Sequence, residues 1–136
     1  SFVHSYIRTK NMDVGLATAS EVARNRTGDC TEHGVLTAAL LRANGIPARV
    51  VAGLLYVDEF GGAHNIFGYH MWAQALVEVD GKPRWVDFDA TLPGRRFDAT
   101  HIALATSAMR DGESLGELSA IAGAMGRLQI KVEEIK

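Results

Sequence analysis

Three residues of this 136-residue chain are suited to covalent chemistry on a carbonyl: its single cysteine, Cys30; a histidine on an alternating apolar stretch, His70; and an aspartate beyond the next turn, Asp89. The thiolate is the attacking form of cysteine, and a free thiol with a pKa of about 8.5 is only slightly ionised at neutral pH. A helix N-terminus stabilises the anion, and an imidazolium does so further. A carboxylate against the other ring nitrogen holds the imidazole tautomer and favours its cation. Brought together, the three make a Cys-His-Asp acyl-transfer triad. Each alone has a commoner use, as an inert buried thiol, a structural histidine and a strand-end aspartate.

Cys30 stands at the head of the clearest helix in the chain, "DCTEHGVLTAALLRANG". Val35, Leu36, Ala39, Leu40 and Ala43 recur there at helical spacing. Asp29 is a natural N-cap, Glu32 three residues on completes a capping-box pattern, and Gly45 before Ile46-Pro47 supplies the stop. With Asp29 as the cap, Cys30 is the first helical residue. The backbone N–H groups of that first turn then offer part of an oxyanion site. Asp29 pulls the other way, since a negative neighbour disfavours a thiolate.

Past this helix the period changes to two. Ala48 to Val57 reads as a strand, Asp58 to Gly68 as a polar, glycine-rich connection, and Tyr69 to Val79 as a second strand. One face of that second strand carries Tyr69, Met71, Ala73 and Ala75, and the other carries His70, Trp72 and Gln74. Asp80-Gly81 signals a hairpin turn, after which "KPRWVDFDAT" returns. A two-residue turn pairs Val79 with Lys82, so Trp72 faces Asp89 and His70 faces Thr91. His70 and Asp89 become diagonal neighbours, roughly 7–8 Å apart by backbone and closer between side chains. Asp87 falls a rung farther away. The simplest turn therefore selects Asp89 as the carboxylate that orients His70.

Elsewhere, Val3 to Arg8 and Ala17 to Arg24 read as short helices, and Pro93 to Met109 as loop with a short helical piece. Glu113 to Ile121 reads as a further helix, and Leu128, Ile130 and Val132 alternate as a final strand. Helices first and antiparallel strands after make an α+β pattern. A composition of 47% hydrophobic and 22% charged residues is ordinary for a globular protein, and the length suits one domain over residues 1–136. The formal net charge of −2 offers no basic footprint for nucleic acid. No apolar run approaches the length of a membrane span and no signal peptide is visible, so no membrane partner is expected and a cytoplasmic location is favoured. "SFVHSYIR" opens directly into apolar-polar periodicity, as a piece of a longer protein would. One cysteine forms no internal disulfide, so composition leaves redox compartment and oligomeric state open.

The residues around the three candidates resemble the blocks of the transglutaminase-like superfamily, in particular its bacterial members of cysteine-protease type. The first block resembles "GDCTEHGVLTAALLRANGIPARVVAGLLY", Gly28 to Tyr56, with the nucleophile at Cys30. The second resembles "FGYHMWAQALV", Phe67 to Val77, with the catalytic histidine at His70. The third resembles "RWVDFDATL", Arg84 to Leu92, whose aspartate four residues after the tryptophan is Asp89 and not Asp87. The likeness runs from about Val14 to about Leu104 and takes in "FDATHIALA". Met71 and Ala90 stand where alanine and proline are more usual, and neither change removes a functional group. The resemblance implies a papain-like α+β fold with the nucleophile helix packed on an antiparallel sheet. It also implies an enzyme that attacks amide bonds of a peptide or protein through a thioester, as a peptidase, amidase or transglutaminase. Eukaryotic members use calcium, but no Asp/Asn-rich loop here reads as a calcium site, so neither metal nor cofactor is carried over.

Other readings compete. Cys30 and His33 form C-x-x-H, half of a zinc site that His4, His64 or His101 would complete, but the spacing matches no zinc motif. His33 is expected to face solvent or cap a neighbour, His64 to lie in a loop, and His101 to be structural. Trp72 and Trp85 are expected to pack under the next helix, with a wall of the substrate cleft as their functional alternative. Gly94 to Arg96 reads as a solvated loop. The rival class is a non-catalytic protein-interaction domain on the same fold. Acyl transfer from a thioester cofactor ranks below both, since nothing reads as a nucleotide-binding loop.

Overall fold

The computed structural model describes residues 1–11, 16–109 and 127–131. Among these residues three helices come first, α1 (Phe2–Tyr6), α2 (Ala19–Asn25) and α3 (Cys30–Ala43). Four strands follow, β1 (Ala48–Phe60), β2 (Ala63–Val79), β3 (Lys82–Phe88) and β4 (His101–Ser107). The strands form one antiparallel sheet in the order β3-β2-β1-β4, so the fold is α+β.

α3 is the middle layer. Towards the sheet, Val35 packs with Val50, Ala52 and Met71, and Ala38 packs with Ala48 and Ala73. On its other side Leu36 meets Val3, Ile7, Val22 and Ala90. Burying a side chain such as Leu36 contributes about 1.5–3 kcal/mol. That cluster also ties the middle of α3 to the residue after Asp89, because Leu36 and Ala90 both belong to it.

Both hairpins close on two left-handed residues, Gly61 (φ 59°) with Gly62 (φ 83°) and Asp80 (φ 52°) with Gly81 (φ 72°). This is the turn whose twist matches that of the flanking strands. Val79 pairs with Lys82 and Ala73 with Phe88, the register expected from the Asp80-Gly81 turn.

Several expectations need correcting. The polar stretch 58–68 is ladder, with Glu59 opposite His64 and Phe60 opposite Ala63, so His64 is a strand residue. Cross-strand pairing satisfies backbone groups whatever the side chains are, and a ribbon exposed on both faces needs no apolar alternation. Residues 101–107 are a strand that pairs with β1 and contain no helical piece. β1 takes β4 with a bulge at Ala52/Gly53, where a Cβ on Gly53 would lie 2.1 Å from the Ile102 carbonyl oxygen. Only glycine fits there. Residues 127–131 form no strand, and Leu128 and Ile130 are exposed. Val132 and the helix expected over 113–121 lie outside the described residues. Among the described residues no helix is long and apolar enough to cross a membrane.

Candidate active site

Cys30 is the first residue of α3, with Asp29 as its N-cap. The cap is reciprocal: the Asp29 side chain accepts from the Thr31 N–H at 2.8 Å and from the Glu32 N–H, and a Glu32 carboxylate oxygen accepts from the Asp29 N–H at 3.0 Å. The other Glu32 oxygen accepts from the Ala17 N–H at 3.2 Å, which leaves this carboxyl fully buried. Burial pushes the Glu32 carboxyl above its ordinary range. Gly28 permits the arrangement, because a Cβ there would overlap the Glu32 Cβ at 2.3 Å. The His33 N–H goes to the Asp29 carbonyl at 3.1 Å. The donors of Thr31, Glu32 and His33 are therefore committed to Asp29, and the Cys30 N–H is the first-turn donor that remains.

His70 lies on β2 opposite Gly53 of β1. Its Nε2 is 2.7 Å from Asp89 Oδ2, with both side chains nearly buried at 7% and 6% exposure. Cys30 also acts on this ring, raising its pKa by side-chain hydrogen bonding and by charge. Nε2 serves Asp89, so Nδ1 is the nitrogen left for the thiol. Burial alone would lower the His70 pKa, but Asp89 and Cys30 outweigh it and hold it at about 9. Burial likewise opposes charge on Asp89, yet His70, His101 and the Thr91 N–H hold its carboxyl at about 2. Imidazolium and carboxylate are the forms at neutral pH. The structure pairs His70 with Asp89, and Cys30, at the head of α3, acts on the His70 ring.

Asp87, the alternative carboxylate, does different work. Its Oδ1 accepts from Trp72 Nε1 at 2.7 Å and from Gln74 Nε2 at 2.8 Å. Gln74 in turn accepts from Arg49 Nε at 2.9 Å, and the Arg49 guanidinium lies 4.1 Å over the Trp85 ring. Trp72 is buried beside His70, with ring centroids 6.1 Å apart, and is covered by Phe97 and His101. Trp85 is 39% exposed, and the helix expected over 113–121, which follows both tryptophans in the chain, lies outside the described residues. Gly94 to Arg96 is exposed as expected, with Arg95 3.8 Å from Asp98. A groove of about 690 Å³ borders Asp89 and Phe97 but is not lined by Cys30 or His70.

Of the two readings of His33, solvent-facing or capping a neighbour, the structure has the second: it is buried, with Nδ1–H donated to the Asp29 carbonyl and Nε2 accepting from Lys10 Nζ at 2.7 Å. Burial lowers its pKa, and both ring nitrogens are engaged. His101, read as structural, contacts the site directly: its Nε2 lies 3.2 Å from Asp89 Oδ2. No local sequence signal marks it, because the strand state of "HIALATS" comes from its pairing with β1. Ligand atoms of His70, Asp89 and His101 lie within 4.8 Å of one another. Each of these nitrogens already has Asp89 Oδ2 as its partner, so the cluster is satisfied without an ion.

Residues 2–90 match the model of the transglutaminase-like superfamily, and the chain belongs to that superfamily. The match starts nearer the N-terminus than the resemblance did and stops before "FDATHIALA". Among solved structures, the chain is similar to a "putative cysteine protease" from Cytophaga hutchinsonii, with a TM-score of 0.58 and 22% identity. That similarity covers 78% of this chain and 33% of the other, so the chain spans about a third of its length. It establishes the papain-like α+β fold. No curated protein matches the sequence.

Proposed function

We propose that the protein is an acyl-transfer enzyme acting on amide bonds, with Cys30 as nucleophile, His70 as general acid and base, and Asp89 as the carboxylate that orients His70. The observation that carries this reading is a buried imidazole bonded at 2.7 Å to a buried carboxylate and raised in pKa by that carboxylate and by Cys30. The Cys30 sulfur attacks the amide carbonyl carbon, and the oxyanion that forms accepts from the Cys30 N–H. The C–N bond breaks as His70 gives its Nδ1 proton to the departing amine, leaving a thioester on Cys30. His70, now neutral, takes a proton from water or from an amine as it attacks the thioester. The C–S bond then breaks, restoring thiolate and imidazolium. Water as the acceptor gives hydrolysis, and an amine gives transamidation. The substrate class is a peptide or protein amide, as the superfamily suggests.

The test offers the folded protein a panel of peptide and glutamine amides with and without an added primary amine, and follows released amine and transferred acyl group. Turnover lost in Cys30→Ala supports the proposal. A protein that turns over none of the panel and whose Cys30 alkylates like a free thiol overturns it in favour of the interaction-domain reading.

A further inference from the structure

Asp89 lies one residue beyond the last ladder pair of β3, Ala73 with Phe88, so no strand pairing fixes its backbone. Its side chain is held by three donors. Oδ1 accepts from the Thr91 N–H at 2.8 Å, while Oδ2 receives both His70 Nε2 at 2.7 Å and His101 Nε2 at 3.2 Å. His101 comes from another strand, the far edge of the sheet, where it opens β4 opposite Leu55 of β1. Its ring is 1% exposed and has little room to turn. Phe97 stacks on it at 4.1 Å, and Trp72 meets it edge-on at 5.3 Å. The charged and polar groups that face it are Asp89 and His70 at the Nε2 end, and Asp98 (3.8 Å) and Thr100 (3.5 Å) at Nδ1.

We propose that His101 is a positioning residue of the site: from β4 it donates its Nε2–H to Asp89 Oδ2 and so fixes the carboxylate in the orientation that faces His70. The proposal rests on reading Cys30, His70 and Asp89 as an acyl-transfer triad. An ionised Asp89 only accepts, so the His101 proton must sit on Nε2. With both donors in place Oδ2 has no lone pair left for water, and the carboxylate cannot swing out without leaving two buried N–H groups unpaired. A histidine kept for packing alone would need only its ring. Here the polar atom is aimed at the one oxygen on which His70 depends.

The two effects of removing this donor have opposite signs, which makes the proposal testable. Losing only a competing donor would leave Asp89 a stronger partner and raise the His70 pKa. Losing the positioning contact frees Asp89 to turn away, and burial then lowers it. The experiment compares wild type, His101→Leu and His101→Gln by imidazole NMR titration of His70 and by the pH dependence of Cys30 alkylation. The glutamine side chain carries an N–H near the place of Nε2. The expected result is a fall of His70 by at least about one pH unit in His101→Leu, with at least about tenfold slower acyl transfer at neutral pH. His101→Gln should restore most of both. A folded His101→Leu whose His70 titration is unchanged or raised overturns the proposal. Should His101→Leu not fold, the neutral tautomer of His101 in the wild type decides: Nε2–H supports the proposal and Nδ1–H overturns it. A wild type that never acylates Cys30 defeats the triad reading, whereas a normal wild type with an indifferent His101→Leu defeats only the role of His101.

Discussion

Asp89→Asn is the substitution whose consequences the geometry defines most sharply. The His70 pKa of about 9 in the folded protein, against an ordinary 6.5, exists because a buried carboxylate accepts at 2.7 Å and Cys30 adds to its effect, together outweighing burial. A pKa raised on folding contributes stability that is fully present below the unfolded value and is lost as pH rises through the folded one. For His70 the window runs from 6.5 to about 9, and the loss across it is about 3 kcal/mol. The amide introduced by Asp89→Asn would carry no charge, and its single carbonyl oxygen could not serve both His70 and the Thr91 N–H that now share the carboxylate. Burial, the largest single influence on His70, would then prevail and bring its pKa down. Denaturant unfolding at a series of pH values from about 6 to about 10 measures the effect. The gap between wild type and Asp89→Asn should be widest at the acid end and narrow by about 3 kcal/mol towards the alkaline end. Parallel stability curves would refute the reasoning, because the coupling of His70 to Asp89 would then be absent.

Asp87→Ala leaves Trp72 Nε1 and Gln74 without their acceptor, so it should destabilise by about 1–3 kcal/mol while Cys30 alkylation keeps its pH profile. A profile shifted as far as that of Asp89→Asn would mean that the roles of the two aspartates had been misassigned. Glu32→Ala strips the half-buried N–H groups of Ala17 and Asp29 of their acceptors and should cost about 1–3 kcal/mol in thermal or denaturant unfolding. Gly53→Ala forces a Cβ against the Ile102 carbonyl and the Trp72 ring, and should destabilise by about 1–3 kcal/mol; a neutral result would show that the β1–β4 bulge gives way freely.

The geometry around Cys30 was legible because it is local. Asp29, Cys30 and Glu32 are fixed by one helix turn, and the capping box forms as their spacing requires. Asp89 was legible because Asp80-Gly81 sets a register that carries without slippage to Phe88. The Gly61-Gly62 turn carries the same signal, but the polar residues around it hid the ladder, since β1 and β2 project there beyond the part of the sheet that α3 covers. β4 was missed for a related reason. "HIALATS" mixes small and polar residues, and its strand state comes from pairing with β1, far earlier in the chain, from Leu55 opposite His101 to Val50 opposite Ser107. His101 could not be placed without that pairing. The commitment of three first-turn donors to Asp29 also follows from side-chain geometry that a capping pattern implies only in part.

The central claim is covalent chemistry at Cys30, and intact-mass measurement after rapid acid quench tests it most directly. The folded protein is mixed with an activated acyl donor, an ester or thioester of a peptide acid, so that acylation outruns release. The account predicts one acyl group per chain, located on Cys30 by peptide mapping and removed by hydroxylamine. It also predicts none on Cys30→Ala, and slow acylation of His70→Ala, whose thiol has lost its imidazolium. A wild type that stays unmodified, or that is acylated no faster than His70→Ala, would contradict it.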